Sequence, residues 1–294
     1  MTLYAFRYFV IRPFYAMSGT LYQLTEAEFA LMVGITMLIA ATGYIINDFY
    51  DIGIDRINRP EKPYVSGRIT PPILLSSAGL LSMVAMAGSA VFSLQLHSVF
   101  PLLTFLLALG TVWWYAKTLK FTYVLGNLAV SLMSALTLGM AWFFEWLKLK
   151  QAGTELYEIK PITIITAGIV CFAFLLSLLR EIVKDMEDLE GDRQFGCHSV
   201  PVVKGIPFSK ILVTVLSLIL LLLLAGSQFW LNRANFPFVS GWLFPAVELP
   251  LILFIIRLRK AENVPAFHRL SGLLKWIMVG GISSMAIMAL NFIL

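Results

Sequence analysis

Residues 28–55 read EFALMVGITMLIAATGYIINDFYDIGID, a strongly apolar segment that ends in three aspartates. Asp48, Asp51 and Asp55 follow one another at spacings of i, i+3 and i+7, which place them on one narrow stripe of an α-helix. Three like charges on one stripe repel one another unless a cation lies between them. The segment therefore predicts a membrane helix that ends in a cation-binding site.

The same spacing returns in KDMEDLEGD, residues 184–192, again at the end of an apolar segment. We expect Asp185, Asp188 and Asp192 to share one helical stripe as well. One such stripe is compatible with a merely solvated helix end, whereas two matching stripes favour a common site. Carboxylate oxygens are ligands that Mg²⁺ prefers, and Mg²⁺ usually shares its coordination shell with substrate phosphate. The two motifs together predict a metal–phosphate site.

The composition is that of a polytopic membrane protein. Hydrophobic residues make up 59% of the 294 residues, charged residues only 13%, and the mean hydropathy is +0.83. A membrane-spanning helix needs about 20 mostly apolar residues. The chain offers eight such segments, at roughly 28–47, 73–93, 99–116, 122–144, 162–182, 209–230, 239–257 and 272–293. The sequence thus predicts an all-α membrane helical bundle that forms a single domain over residues 1–294.

The N-terminal segment 3–22 is apolar and aromatic but contains two arginines and a proline. We expect it to form a short or truncated first span. The segments 48–72 and 183–208 are longer than simple helix connections need to be. Each begins with an acidic stripe and continues into basic residues, prolines and glycines. They are therefore interpreted as caps over a cavity at one membrane face.

The distribution of basic residues predicts how the chain is oriented in the membrane. Four cations, Lys148, Lys150, Lys160 and Arg233, lie on the side opposite the two acidic motifs. Sixteen lie on the side of the motifs: Arg56, Arg59, Lys62, Arg68, Lys117, Lys120, Arg180, Lys184, Arg193, Lys204, Lys210, Arg257, Arg259, Lys260, Arg269 and Lys275. Because cytoplasmic loops carry the excess of Lys and Arg, both motifs should face the cytoplasm. This topology also explains the net charge of +5 without a nucleic-acid partner.

Six carboxylates and Asn47 can hold two or more Mg²⁺ ions, which can clamp a diphosphate and neutralise it as it leaves. Basic side chains near the same face would complete the binding of the diphosphate: Arg59, Lys62, Arg68, Lys117, Lys120, Lys184 and Arg193. The candidates for substrate binding are Asn47, Arg59, Arg68, Lys117, Lys120 and Lys184. Each of these lysines and arginines could instead be there only because positive residues set the orientation of the membrane helices. Lys117 and Lys120 are the best placed, because they follow a membrane segment directly.

Three stretches resemble the signatures of the UbiA superfamily of intramembrane prenyltransferases. Residues 47–69, NDFYDIGIDRINRPEKPYVSGRI, resemble the first signature, and KDMEDLEGD resembles the second. Residues 115–131, YAKTLKFTYVLGNLAVS, resemble the stretch between them. The resemblance implies a nine-helix fold, Mg²⁺-dependent ionisation of an isoprenyl diphosphate, and attack by a prenyl acceptor on the allylic carbon. It departs at the start of the chain, where the family has a complete first helix.

Matched residue by residue, the family's metal–diphosphate positions fall on Asn47, Asp48, Asp51, Asp55, Asp185, Asp188 and Asp192. The resemblance implies that Asp48, Asp51, Asp185 and Asp188 carry the catalysis. Lys117 or Lys120 falls near the family's basic diphosphate contact. The implied setting is an integral protein of a bacterial or archaeal cell membrane, with the lipid bilayer as its surroundings and no obligate protein partner.

The identity of the acceptor stays open between alternatives. The motif details look most similar to the branch that alkylates geranylgeranylglyceryl phosphate in ether-lipid synthesis. The nearest rival acceptor is an aromatic ring such as 4-hydroxybenzoate in quinone synthesis. A divalent-cation transporter is the hypothesis from another class, since acidic residues at membrane ends also bind passing ions. A protein with merely solvated helix ends would instead tolerate loss of Asp51 or Asp188.

Overall fold

The computed structural model describes residues 1–18 and 24–293, and within these ranges every regular element is helical. The α-helices are α1 (Thr2–Phe6), α2 (Arg12–Ser18), α3 (Glu26–Asn58), α4 (Pro71–Gln95), α5 (Phe100–Lys117), α6 (Leu125–Gln151), α7 (Leu156–Glu187), α8 (Leu189–Gln194), α9 (Val200–Arg233), α10 (Pro237–Leu243), α11 (Leu249–Lys260) and α12 (Val264–Ile293). Two π-helical segments, Arg7–Ile11 and Phe244–Glu248, and one 3₁₀ turn, Leu119–Phe121, connect neighbouring helices. The expected all-α fold is confirmed.

Eight helical segments in the described part of the chain are long and apolar enough to cross a membrane. They are Glu26–Asn58, Pro71–Gln95, Phe100–Lys117, Leu125–Gln151, Ile159–Glu187, Val200–Arg233, Pro237–Lys260 and Val264–Leu290. The predicted set of eight full spans is thus confirmed, although several helices extend beyond the apolar windows. The segment predicted as a short span at 3–22 is helical as far as Ser18, and residues 19–22 lie outside the described residues.

Helix α3 carries the first acidic motif and begins at a capping box. The Thr25 hydroxyl accepts a hydrogen bond from the Glu28 backbone N–H, and the Glu28 carboxylate accepts one from the Thr25 backbone N–H. This reciprocal pair satisfies two amides that a helix start would otherwise leave unbonded. The helix then continues without a break through Asp55 to Asn58. The prediction that the first three aspartates share one helix is therefore confirmed.

The described chain divides into two compact units. The motif unit comprises Leu24–Met133 and Asp188–Val203, and so contains α3, α4, α5 and α8. Its core is formed by Ile46, Ala78 and Ala116, one residue from each of the three long helices. Alanine at two of these positions allows the helix backbones to approach closely, as small residues do between membrane helices.

The second unit contains α7, α9, α10, α11 and α12 together with the N-terminal helices. Helix α12 packs against α7, α10 and α11 within it. The closest approach is at Gly280, where an added Cβ atom would overlap the carbonyl oxygen of Ala246 in the π-helical segment. Gly280 is therefore needed for α12 to lie against that segment.

Candidate functional site

The first and third aspartates of the first motif share two partners from the segment that follows α3. The Lys62 ammonium lies 3.3 Å from Asp48 Oδ1 and 3.0 Å from Asp55 Oδ2. The Tyr64 hydroxyl bonds the same two carboxylates, at 2.8 Å from Asp48 Oδ1 and at a short distance from Asp55. Asp55 is buried, with a side chain only 6% exposed. Because a buried carboxylate needs charge and hydrogen-bond partners, this segment is what allows Asp55 to stay in place.

Tyr64 itself is buried, and its hydroxyl also lies close to the Lys62 ammonium. Burial above all, followed by its hydrogen bonds to Asp55 and Asp48, raises the pKa of the Tyr64 phenol well above its usual range. The phenol therefore stays neutral at physiological pH and acts as a hydrogen-bond donor to the acidic stripe.

The middle aspartate of the motif is held by a different cation. The Lys120 ammonium lies 2.5 Å from Asp51 Oδ1, and the Lys120 side chain is only 9% exposed. The Asn47 side-chain amide donates a hydrogen bond to the other oxygen of Asp51. Lys120 comes from the 3₁₀ turn Leu119–Phe121, directly after α5. Of the two lysines predicted near this site, Lys120 thus contacts the acidic stripe, whereas Lys117 is exposed.

The second motif does not form the continuous helical stripe that its spacing predicts, and this expectation is wrong. Helix α7 ends at Glu187, Asp188 has φ −92° and ψ 7°, and Asp192 lies on the separate short helix α8. The physical reason is a tertiary contact. The Asn58 side chain accepts from the Gly191 N–H, which is therefore bonded outside its helix, and donates to the Asp188 carbonyl, which also accepts from the Asp192 N–H.

The remaining contacts join the second motif to the first within the motif unit. Arg59 binds the Asp188 carboxylate through one nitrogen, at 3.0 Å and 2.8 Å from its two oxygens. Phe195 packs on α3 at Gly53, where an added Cβ would lie 2.5 Å from the ring. Asp192 accepts a hydrogen bond of 3.0 Å from the Ser199 hydroxyl. Asp188 is thereby attached to the end of the helix that carries Asp48, Asp51 and Asp55, whereas Asp192 is bonded within its own segment.

Three predicted residues lie elsewhere or on the surface. Asp185 and Lys184 belong to the last turn of α7, in the second unit. Arg68 is exposed in the segment between α3 and α4. The structure therefore brings together six of the seven predicted metal–diphosphate residues, Asn47, Asp48, Asp51, Asp55, Asp188 and Asp192, with Arg59 and Lys120.

Sequence reasoning counted Lys62 only as one of the basic side chains near this face, and it missed Tyr64. Lys62 stands in the stretch Arg59–Pro63 and was one of sixteen cations on the side of the two acidic motifs. Its short distance in sequence from Asp55 was the only indication that the two residues could be partners. Tyr64 follows Pro63 in a turn, where an aromatic residue indicates nothing about a partner. Both roles depend on how segment 59–70 folds back over α3, which no local pattern specifies.

The donor set has the chemistry of a magnesium site. Its atoms are carboxylate and amide oxygens, which are hard ligands, and they already attract the cationic groups of three basic side chains. Among the described residues no three acidic, histidine or cysteine side chains converge on one metal position. The residue types thus fit Mg²⁺, while the carboxylates point at the chain's own ammonium and guanidinium groups.

The sequence matches the model of the UbiA prenyltransferase family over residues 13–279. Curated relatives include digeranylgeranylglyceryl phosphate synthase of Ignicoccus hospitalis, 37% identical over 58% of this chain and 52% of that protein. The same enzyme of Saccharolobus solfataricus is 32% identical over 90% of this chain and 84% of the relative. The chain thus spans about half the length of the first relative and most of the second.

Solved structures share the fold over nearly the whole chain. A structure of digeranylgeranylglyceryl phosphate synthase in membranes has a TM-score of 0.59 and 24% identity, and covers 98% of this chain and 93% of its own. A UbiA homolog from Archaeoglobus fulgidus, bound to DMAPP and Mg²⁺, has a TM-score of 0.60 and 17% identity, with coverages of 97% and 96%. At these identities the likeness establishes the architecture of a polytopic helical bundle.

Proposed function

This chain belongs to the UbiA prenyltransferase family, and we propose that it transfers a prenyl group from an isoprenyl diphosphate to geranylgeranylglyceryl phosphate at the membrane. The observation that carries the proposal is the arrangement within the motif unit. Carboxylates of both acidic motifs lie on and beside the end of α3, and four of them, Asp48, Asp51, Asp55 and Asp188, contact a basic side chain. A site that mixes carboxylates with cations in this way suits a divalent metal and a phosphorylated ligand together.

The proposed metal ligands of the motif unit are Asn47, Asp48, Asp51, Asp55, Asp188 and Asp192, and the role of Asp185 stays a prediction from the sequence. When bound, Mg²⁺ would neutralise the diphosphate and favour its departure. The name of the Archaeoglobus fulgidus structure, with its Mg²⁺ and prenyl diphosphate, supports this choice of ion. The side chains that meet in the motif unit support it independently, because their carboxylate oxygens are hard ligands.

Basic side chains bind the leaving group in this proposal. Lys120 and Arg59 are half or more buried and hold carboxylates in position, so each can turn a donor toward an incoming phosphate oxygen. Arg59 suits this role through its fork of N–H donors, which matches phosphate geometry. Lys117 and Arg68 remain candidates for the outer part of the same binding surface, and the role of Lys184 stays a prediction from the sequence.

In the proposed reaction the bond between the allylic carbon and the diphosphate oxygen breaks, and a bond from that carbon to the acceptor hydroxyl oxygen forms. The hydroxyl proton leaves to water or to the released diphosphate, so the chain needs no dedicated base. The product is an ether. The names of the relatives support the glyceryl phosphate acceptor over an aromatic one such as 4-hydroxybenzoate, whose ring carbon would attack instead.

We place the site at the cytoplasmic face of the membrane. The support is the excess of Lys and Arg on the side of the two motifs, which the positive-inside rule assigns to the cytoplasm. Proteolysis of segment 59–70 in oriented vesicles, or thiol labelling of a cysteine introduced there, would test this placement. Modification only from the periplasmic or extracellular side would contradict the placement.

The experiment that tests the function is a competition for the prenyl group. Purified protein in lipid nanodiscs receives geranylgeranyl diphosphate, Mg²⁺ and equal amounts of geranylgeranylglyceryl phosphate and 4-hydroxybenzoate, and the products are identified by mass. We expect the ether product alone, and none after chelation of the metal. Prenylated 4-hydroxybenzoate as the main product would show that the acceptor is an aromatic ring and would contradict the proposed glyceryl phosphate acceptor. Mg²⁺ uptake into sealed vesicles without any prenylated product would favour a transporter.

A further inference from the structure

Lys62 occupies the space between two carboxylates of the first motif. Its ammonium nitrogen lies 3.3 Å from Asp48 and 3.0 Å from Asp55, and the Tyr64 hydroxyl bonds all three groups. These four side chains form a closed network at the end of α3. An ammonium that bridges two carboxylates neutralises the same charges that a metal ion would neutralise there.

Two other carboxylates of the motif unit also contact cations of the same chain. Lys120 contacts Asp51, and Arg59 contacts Asp188. Asp48, Asp51, Asp55 and Asp188 thus each contact a lysine or arginine of the same chain. The mutual repulsion that first suggested a metal ion is already relieved by the protein itself.

We infer that the free enzyme holds Lys62 in the place of a metal ion, so that the divalent cation enters together with the diphosphate and not before it. The inference rests on the proposed function. A divalent ion that arrived alone would face the Lys62 charge a few ångströms away, with no anion to receive the displaced ammonium. A diphosphate supplies that anion, because its oxygens can accept the hydrogen bonds that Lys62 gives up at Asp48 and Asp55.

The position of Lys62 in the chain suits such an exchange. It lies in segment 59–70, between the end of α3 and the start of α4, so its ammonium can move without disturbing either helix. The Lys62 side chain is 26% exposed, and its flexible stem allows the ammonium to turn from the carboxylates toward a ligand. Asp55, by contrast, is fixed in the helix and buried.

The test compares two ways of loading the site, using the whole chain in nanodiscs. Mn²⁺ replaces Mg²⁺ as a spectroscopic probe, and its binding is titrated by electron paramagnetic resonance, first alone and then with inorganic pyrophosphate. In Lys62→Gln we expect Mn²⁺ alone to bind on the order of tenfold more tightly than in the wild type, because a competing cation has gone. With pyrophosphate present the effect should reverse, to about tenfold weaker binding, because an ammonium contact has been lost.

The matched control is Arg56→Gln, which removes one positive charge from an exposed position of α3, the helix that carries Asp48 and Asp55. Its Mn²⁺ affinity should stay within about twofold of the wild type, as expected for an exposed and screened charge. Lys62→Arg, which keeps the charge, should bind Mn²⁺ alone as the wild type does. Tighter binding in the Arg variant as well would overturn the inference, since charge would then not be the cause.

Unchanged or weaker binding of Mn²⁺ alone by Lys62→Gln, with a melting temperature near that of the wild type, would also overturn it. That result is separable from a failure of the proposed function. A wild type that forms the ether product while Lys62→Gln shows no tightening rejects only the exchange. A wild type that forms no prenylated product in the competition assay rejects the proposed function itself.

Discussion

The side chain of Asn58 lies against Gly191 so closely that a Cβ atom on residue 191 would overlap its amide group. The same amide donates to the Asp188 carbonyl at 3.1 Å and accepts from the Gly191 N–H at 3.1 Å. One asparagine of the first motif thus fixes the backbone of the second motif. The pair explains why Asp188 and Asp192 do not continue the helix that carries Asp185.

Gly191→Ala should destabilise the protein and lower prenyl transfer, because the new methyl group displaces Asn58 and the two hydrogen bonds with it. We expect a loss of about 1–3 kcal/mol, the usual cost of overpacking a tight site. Thermal unfolding in detergent measures it. In an Asn58→Ala background the same glycine change should cost much less. Equal costs in both backgrounds would show that the two residues act separately.

Asp51→Ala and Asp188→Ala should each abolish turnover, with product formation lowered at least about 100-fold, because each removes a proposed ligand of the metal and the diphosphate. Folding should be affected less than turnover, since both aspartates are partly exposed, although Asp51→Ala also removes the carboxylate that contacts Lys120. Mass-detected ether product and melting temperature are the two measurements. Glu61→Ala, at an exposed position of segment 59–70, is the control. A purified Asp51 variant with full Mg²⁺-dependent turnover would reject the assigned role.

The two neighbouring lysines should differ in importance. Lys120 is nearly buried and contacts Asp51, whereas Lys117 is exposed at the end of α5. We expect Lys120→Met to raise the KM for the prenyl diphosphate by about tenfold or more, through loss of a charged contact. Lys117→Met should change it by less than about threefold. Steady-state kinetics in nanodiscs separates them, and the opposite ranking would favour Lys117 as the diphosphate contact.

Tyr64→Phe should cost about 1–3 kcal/mol, because hydrogen bonds to charged groups are among the stronger ones. Tyr44→Phe, which removes a hydroxyl from a highly exposed position, is the matched control and should be neutral. Thermal unfolding of both variants beside the wild type gives the comparison. A neutral Tyr64 variant would mean that Lys62 alone holds Asp48 and Asp55.

The contribution of Tyr64 should also be independent of pH between about 6 and 9. Its pKa in the folded state is raised above the usual value of about 10, so the phenol is neutral in both folded and unfolded chains below that value. The stabilisation is therefore fully present there and is lost only at higher pH, where the unfolded phenol ionises first. The difference in melting temperature between wild type and Tyr64→Phe, measured across this range, should stay constant.

Hydropathy and spacing were enough to predict the eight spans and the first aspartate stripe, because both depend on local properties of the chain. Asp48, Asp51 and Asp55 lie on one helix since nothing interrupts α3 before Asn58. The second motif has the same spacing, yet its helix ends at Glu187. That difference arises from the contact between Asn58 and Gly191, which are distant in sequence and could not be paired from spacing alone.

The partners of the carboxylates were likewise beyond local prediction. Lys120 was a candidate because it follows a membrane segment, and Arg59 because it lies in the first signature. Lys62 and Tyr64 reach Asp48 and Asp55 only because segment 59–70 turns back over the end of α3. A turn that contains two prolines predicts that the chain changes direction, but it does not predict which of its side chains will contact the aspartates.

Helix α3 has 33 residues, so it is about 50 Å long, whereas the hydrocarbon layer of a bilayer is about 30 Å thick. Its capping box at Thr25 fixes one end, and its final turns must therefore project past the acyl chains to the depth of the lipid head groups. We expect the acidic stripe at that depth, because the apolar part of α3 ends at Ile46, directly before Asn47 and Asp48. The two substrates of the proposed reaction are amphiphiles, and they can therefore meet there by lateral diffusion. Their charged ends would lie in the water layer while their apolar tails stay among the acyl chains of the bilayer.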